Sequence, residues 1–374
     1  MNRLRTPFSG SSLLGILFCS ATLAFGQAAP TPAGAPPTPA LSVHAANESS
    51  APVATGSMLL NAVVTDKAGK AIPNLAVGDF QLFDNGRPMP ILSFKAIGGS
   101  SPAQAPTRVI IVFDAVNMPF ESVSYTREQV GTFLKQNGGH LAYPVSLAFM
   151  TNSGMQLQTE AGTDGNELAK HLEETASSLR TVGAAAGTWG AIERFDFSIK
   201  MLATLAQAIK NQPGRKLVIW AGPGWPMLNE PGIEFSFKGQ KQFFDSVVQL
   251  NAMLREGQIE LSSVAQGTLT TDTFLYESYL KGVKKPTQAL PPNLALKVLA
   301  TQSGGRVVPP TNDLAQSIDT VLQDAGTYYE ITFEPPRPDG PNEFHELKLK
   351  VNQSGLTAHT TMGYYGQPQA ASAP

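Results

Sequence analysis

Asp114 is the residue of this sequence best suited to chemistry, because it ends the apolar run Val109–Phe113. Consecutive apolar residues that are mostly β-branched predict a strand buried on both faces, as in the middle of a parallel sheet. At the carboxyl end of such a strand, a side chain faces the crevice in which open α/β sheets bind ligands. A carboxylate there is suited to hold a metal ion or to act as an acid or base. The alternative interpretation is that Asp114 caps the helix that follows.

Other catalytic patterns are absent from the sequence. Gly222-Pro-Gly224 lacks a third glycine and is not followed by Gly-Lys-Ser/Thr, so a nucleotide cradle is not supported. There is no Gly-x-Ser-x-Gly nucleophile elbow. The histidines do not have the spacing of metal ligands, and we interpret them as surface or core residues; they are His44, His140, His171, His345 and His359. We therefore predict a protein that is not an enzyme, with a hydrolase that uses Asp114 as its acid or base as the alternative.

The three tryptophans are candidates for binding a partner. Trp189, Trp220 and Trp225 are all expected near the loops at the carboxyl edge of the sheet, and Trp225 lies in a Pro-Gly-Trp-Pro turn. Aromatic side chains in rim loops are common binding anchors, so we predict Trp225, Trp189 and Asp114 as binding residues. The alternative, which is favoured for Trp220, is that the rings pack the loops against the sheet.

The elements that must position these residues alternate between strand and helix over residues 105–326. After the Asp114 strand, helical spacing of apolar residues recurs, as in Ile199, Leu202 and Leu205, and further buried strands follow, as in Leu217–Trp220. Repeated βα units predict a doubly wound, mainly parallel sheet with helices on both faces. Residues 266–292 lack periodicity and are predicted to form a long insertion near the ligand-facing edge.

Two shorter stretches, residues 57–98 and 327–366, have β patterns. Asp84-Asn85-Gly86 predicts a hairpin turn between strands over 79–83 and 89–94, because Asn-Gly tolerates positive φ. Neither stretch is long enough to bury a core by itself. We therefore expect the two stretches to pair and form a small β domain from which the α/β domain emerges.

The two ends of the chain have a different composition. Residues 1–26 resemble a secretory signal, with Arg3 and Arg5 before a short apolar core and a cleavage site near Gly26. Residues 27–56 predict a flexible Ala/Pro-rich linker, and 367–374 a disordered tail. The protein is therefore expected to be secreted or periplasmic. The formal net charge of −2 without a basic block disfavours nucleic acid as a partner, and no apolar run predicts a transmembrane segment.

Several segments in this order resemble the von Willebrand factor A-like (VWA-like) domain, and more narrowly the VWFA-related family of exported acidobacterial proteins. The resemblance covers residues 57–366. Its segments are Val63-Val-Thr-Asp66, Gly78-Asp-Phe80 with Asn85-Gly86, the Asp114 strand, Pro213–Trp220, Ala300–Gly305, Asn312–Leu314, Tyr328-Tyr329 and Met362-Gly-Tyr364. It implies protein–protein interaction and, in many members, a magnesium site at the top of the sheet.

The implied metal site is degenerate in this sequence. Asp114 matches the first aspartate of the family motif, Thr188 matches the threonine of the second loop, and Asn117 offers an amide oxygen out of register. The remaining ligand positions hold residues that cannot coordinate a hard cation, namely Val116, Met118 and Ala221–Gly224. We therefore expect no cofactor, with Mg²⁺ as the only candidate.

The predicted function is an exported binding or adhesion module. Its partner is an unknown protein or cell-envelope polymer, bound through the loops at the top of the sheet. A structural envelope scaffold without a specific ligand is a further alternative, beside the hydrolase.

Overall fold

The computed structural model describes residues 56–98, 107–158, 160–178, 187–229, 236–269 and 271–368. The predicted signal, most of the linker and most of the tail lie outside these residues. The strands are β1 (Met58–Thr65), β2 (Phe80–Asp84), β3 (Arg87–Met89), β4 (Ser93–Ile97), β5 (Arg108–Asp114), β6 (His140–Thr151), β7 (Gly154–Leu157), β8 (Gly162–Asp164), β9 (Lys216–Ala221), β10 (Ile259–Val264), β11 (Tyr328–Phe333), β12 (Glu343–Val351), β13 (Thr357–Thr360) and β14 (Gly363–Gly366). The helices are α1 (Phe120–Leu134), α2 (Gly165–Ser178), α3 (Gly187–Ile209), α4 (Phe237–Glu256), α5 (Leu296–Gln302) and α6 (Leu314–Gly326).

The central sheet is mainly parallel, as its apolar strands predict. Its order is β10-β9-β5-β6-β7, and β8 pairs with β6; only β7 and β8 run antiparallel. Alternate residues of β5 enter different cores. Ile110 and Val112 pack with α3 and α4, whereas Val109, Ile111 and Phe113 pack with α1, α2 and α6. Both faces of β5 are buried because helices cover both, which explains the uninterrupted apolar run.

The winding of the chain changes direction at β5. From β5 the chain proceeds to β6 and β7 on one side, then returns through α2 and α3 to β9 on the other side. This is the topological switch point of an open α/β sheet, and ligands bind there at the carboxyl ends of the flanking strands. In this chain those ends are Asp114 of β5 and Ala221 of β9.

The two terminal β segments pair with each other. One four-stranded sheet has the order β13-β1-β11-β4 and the other β14-β12-β2-β3. They enclose a shared apolar core that includes Leu60, Phe80, Ile331 and Leu347. The strand pairing expected between residues 57–98 and 327–366 is therefore present, as a two-sheet sandwich.

The structure corrects one local prediction and adds detail to two other segments. The strand predicted over 89–94 is wrong, because β3 ends at Met89 and β4 begins at Ser93 in the opposite sheet; Pro90, between them, has no N–H to continue a ladder. The first three residues of the Ala300–Gly305 segment belong to α5. The insertion 266–292 contains short 3-10 helices at Thr271–Tyr279 and Pro286–Gln288.

Ionic groups are buried in the α/β layer around Asp324, and one of them, Arg306, also contacts the sandwich. The described residues belong to one compact unit. Arg215 donates from Nε to Glu260 at 2.7 Å and from Nη1 to the Asp324 carbonyl at 2.5 Å. Arg306 pairs with the Asp324 carboxylate and donates to the Gly69 carbonyl at 3.3 Å. Within the described residues, no helix has the length and apolarity needed to cross a membrane.

Candidate functional site

Asp114 lies at the switch point, and its carboxylate is completely buried. Oδ1 accepts hydrogen bonds from the backbone N–H groups of Val116 at 3.1 Å and Asn117 at 3.0 Å. Oδ2 accepts from the Asn117 amide at 2.9 Å and from the Trp220 indole N–H at 3.0 Å. These two backbone bonds close the loop after β5 and do not cap a helix, because α1 begins at Phe120 with Pro119 as its N-cap; the capping alternative is therefore wrong. Asp114 is therefore held by N–H donors on both oxygens.

The electrostatics of Asp114 reflect a balance between burial and these donors. Burial raises the pKa of the Asp114 carboxyl above its ordinary value, because the charged form loses its hydration. The hydrogen bonds from Trp220, Asn117 and Val116 favour the charged form and offset part of that rise. An acid or base must reach the proton that it transfers, and the buried Asp114 carboxyl has no exposed surface at which a substrate can meet it.

Ser198 completes this polar cluster and was not anticipated from the sequence. The Asn117 amide nitrogen lies 3.0 Å from the Ser198 hydroxyl oxygen, and Ser198 is fully buried on α3. The Asn117 amide oxygen is buried and has no hydrogen-bond partner among the described residues. A signal for Ser198 was available, since it is a polar residue beside Ile199 on the apolar stripe of an amphipathic helix.

The residues around Asp114 do not fit a hard divalent cation. Asn117 directs its amide nitrogen, not its oxygen, toward Asp114. Thr188 is exposed in the first turn of α3, ten residues before Ser198, which corresponds to roughly 15 Å along the helix. Met118 is buried, and its sulfur accepts a hydrogen bond from Thr126. The predicted grouping of Asp114, Asn117 and Thr188 is therefore wrong for Thr188. In the described ranges, no group of three or more His, Cys, Asp or Glu residues is arranged to hold a metal ion.

Two tryptophans fill the switch-point crevice. Trp220, at the end of β9, is completely buried and reaches Asp114 through its indole N–H. Trp225 packs edge-to-face against it, with ring centroids 5.4 Å apart. Its indole N–H donates to the Leu294 carbonyl at 2.9 Å, and the residue is only 4% exposed. The prediction that Trp225 presents its ring to a partner is therefore wrong, because the ring is buried between Trp220 and the Leu294 carbonyl.

Large apolar side chains instead reach solvent around this crevice. Three helices begin at the carboxyl edge of the sheet. α1 follows the carboxyl end of β5. α3 and α4 end shortly before β9 and β10 begin, so their first residues lie at the carboxyl edge. Leu269 follows the carboxyl end of β10 and therefore belongs to the same edge. Four residues that are 59–66% exposed therefore define the upper rim: Phe120, Trp189, Phe237 and Leu269. Of these, the sequence reasoning identified only Trp189.

A second buried polar cluster lies in the sandwich. His345 Nδ1 lies 2.8 Å from the Asp84 carboxylate, and the Tyr364 hydroxyl donates to the other Asp84 oxygen at 2.6 Å. The rings of His345 and Tyr364 stack with centroids 4.7 Å apart. These contacts tie β2, β12 and β14 together, so His345 is a core histidine, one of the two roles expected for it.

Comparison with known proteins adds little to this description. No protein-family model and no curated protein matches the sequence. Among solved structures, the chain is similar to the human COPII-coat protein Sec24c, with a TM-score of 0.36, 10% identity, and coverage of 71% of this chain and 44% of that chain. It is also similar to proximal thread matrix protein 1 from the mussel byssus, with a TM-score of 0.33, 12% identity, and coverage of 62% and 49%. The chain thus spans less than half the length of each, and the fold rests on the strand order given above.

Proposed function

We propose that this protein is an exported VWA-like binding module that holds a protein or a cell-envelope polymer at its upper rim. The observation that carries the proposal is the contrast between a filled crevice and an exposed apolar rim. Trp220 and Trp225 occupy the place where an open α/β sheet binds a small ligand. Four exposed apolar residues lie at the same edge of the sheet, namely Phe120, Trp189, Phe237 and Leu269.

The closed crevice supports binding over catalysis. A hydrolase that uses Asp114 as its acid or base would need that carboxyl to reach a substrate, and four N–H groups of the protein already occupy it. The same four N–H groups leave neither oxygen of Asp114 open to a metal ion through which a partner's carboxylate could bind. Recognition must therefore use surface outside the crevice.

The rim has the composition of a recognition surface. Exposed large apolar residues scattered singly are ordinary, whereas several at one edge indicate an interaction site. Tryptophan is among the residues that contribute most to binding energy at interfaces. The polar cluster beneath the rim, formed by Asp114, Asn117 and Ser198, stabilises the loop from β5 that carries Phe120. A rigid loop lowers the entropy that binding costs.

The proposal is tested by capture from envelope extract with the purified protein. Ala replacements at Trp189, Phe120 and Phe237 should each weaken capture, and the strongest should cost about 2 kcal/mol, roughly thirtyfold in Kd. Protease treatment of the extract separates a protein partner from a polymer, because only a protein partner is lost.

Leu92→Ala is the matched control. Leu92 is 55% exposed, comparable with the rim residues, but lies between β3 and β4 of the sandwich. Capture that falls equally in Leu92→Ala, or that persists in the triple rim variant, would remove the rim as the binding surface. Absence of any captured component would favour the scaffold. Turnover of a substrate that Asp114→Asn abolishes would establish the hydrolase instead.

A further inference from the structure

Positive charge is concentrated in one region of a chain whose formal net charge is −2. Between Glu277 and Asp313 the sequence contains no acidic residue. The cations of this stretch are Lys281, Lys284, Lys285, Lys297 and Arg306. Arg306 is neutralised by Asp324, and Lys297 is half-buried with its ammonium donating to the Thr273 carbonyl. The unneutralised charge therefore belongs to Lys281, Lys284 and Lys285, which are all exposed.

The backbone between these lysines is anchored to the protein. Val283 is buried, and its carbonyl accepts a hydrogen bond from the Tyr365 hydroxyl at 3.0 Å. Gly282 lies so close to the Phe344 ring that an added Cβ would come within 2.1 Å of it. Residues 282 and 283 thus hold the segment against the sandwich, and the lysines on either side extend into solvent. The three lysine side chains therefore extend from a backbone segment that is fixed to the protein.

The N-terminal half of α4 continues this surface. The Tyr365 ring that binds Val283 packs edge-to-face on Phe244 of α4, with centroids 5.9 Å apart, and the short helix Pro286–Gln288 also packs against α4. Lys238, six residues before Phe244, is exposed. Lys241 is paired with Asp245 at 2.8 Å, so it contributes little net charge. In the described part of the chain, Lys238, Lys281, Lys284 and Lys285 form no ion pair; together they constitute the lysine surface.

We propose that the lysine surface makes peripheral contact with the anionic headgroups of a lipid bilayer. Lysines placed near an anionic leaflet are each attracted to it, and exposed apolar side chains among them enter the interfacial layer. Phe237, directly before Lys238, and Leu290, shortly after Lys285, are exposed apolar residues beside the charges. A soluble polyanion would need only the positive charges, so the exposed apolar side chains beside the lysines favour a bilayer. The contact goes beyond the proposed function, because it depends on the four lysines, whereas capture at the rim depends on Trp189 and Phe120; Phe237 lies where the two surfaces meet.

Vesicle co-sedimentation with the purified protein tests this contact. The protein should bind phosphatidylcholine vesicles in which about one lipid in three is phosphatidylglycerol, and should not bind pure phosphatidylcholine. Replacing all four residues of the lysine surface with Gln should lower the partition coefficient about 100-fold or more, and one such replacement about fivefold. Raising the salt from about 0.1 M to several times that value should weaken binding, because the charges are screened.

The matched control removes the same charge elsewhere. Lys67, Lys70, Lys135 and Lys348 are exposed and lie outside the lysine surface, so the fourfold Gln variant at these positions should keep vesicle binding within about threefold of the parent. Equal loss in both variants would overturn the proposal in favour of a general charge effect. Failure to bind the anionic vesicles would also overturn it, and binding of polyphosphate in that case would assign the surface to a soluble polyanion. Phe120→Ala should leave vesicle binding unchanged, which separates this result from that of the rim.

Discussion

Replacement of Trp225 by Ala measures directly whether this ring belongs to the core or to a binding surface. In the structure the ring is 4% exposed, packs edge-to-face on Trp220, and donates to the Leu294 carbonyl. The substitution removes all three interactions at once. It also leaves a cavity beside Trp220, whose indole N–H binds Asp114.

The expected cost follows from these contacts. Truncation of a buried Trp costs about 3–5 kcal/mol, the edge-to-face pair contributes about 0.5–1.5 kcal/mol beyond burial, and an unpaired buried carbonyl costs about 1–3 kcal/mol. These contributions overlap, so we expect a total near 5 kcal/mol. That is comparable with the whole stability of many domains, about 5–15 kcal/mol. Trp225→Phe keeps most of the ring and loses the N–H donor, and should cost about 1–2 kcal/mol.

Urea unfolding followed by far-UV circular dichroism gives the free energy for each variant. Trp189→Ala is the control, because Trp189 is 65% exposed and its loss should change stability by no more than about 0.5 kcal/mol. The reasoning is refuted if Trp225→Ala unfolds at the same urea concentration as the parent. A Trp189→Ala protein that is the less stable of the two would refute it as well.

Three further predictions concern the cluster around Asp114. Because burial raises the pKa of Asp114, the stability that its neutral form contributes is present below about pH 3.9 and is lost as the pH rises through the raised folded-state pKa. The stability advantage of the parent over Asp114→Asn, measured by urea unfolding across this range, should therefore shrink with rising pH; an advantage that grows would contradict this. Gly222→Ala should cost about 1–3 kcal/mol by the same assay, because its Cβ would lie 2.9 Å from the Asp114 Cβ; an unchanged midpoint would show that the loop yields. Saturating Mg²⁺, which would stabilise a specific site by about 2.7 kcal/mol at a hundredfold excess over Kd, should leave the melting temperature unchanged, whereas a chelator-sensitive rise that Asp114→Ala abolishes would establish a metal site.

Much of the fold could be predicted because its signals are local. The apolar run before Asp114 reports burial on two faces, and the alternation of Leu347 and Leu349 with Lys348 and Lys350 reports burial on one face. The Asn85-Gly86 turn adopts positive φ at both residues, as its composition predicts. The break between β3 and β4 was missed because the apolar pattern continues across it, although the strands join different sheets.

The sequence by itself determined that the central sheet is mainly parallel, that Asp114 lies at the end of β5, and that oxygen ligands are lacking at Val116 and Met118. These properties depend on residue type and on spacing within one element. Only the tertiary structure decided that Trp225 is core, that Trp220 binds Asp114, and that Ser198 rather than Thr188 reaches Asn117. Each of these contacts joins residues far apart in the chain, as between Trp225 and Leu294, which are 69 positions apart. The exposure of a loop aromatic depends on which distant segment covers it, and no local pattern contains that information.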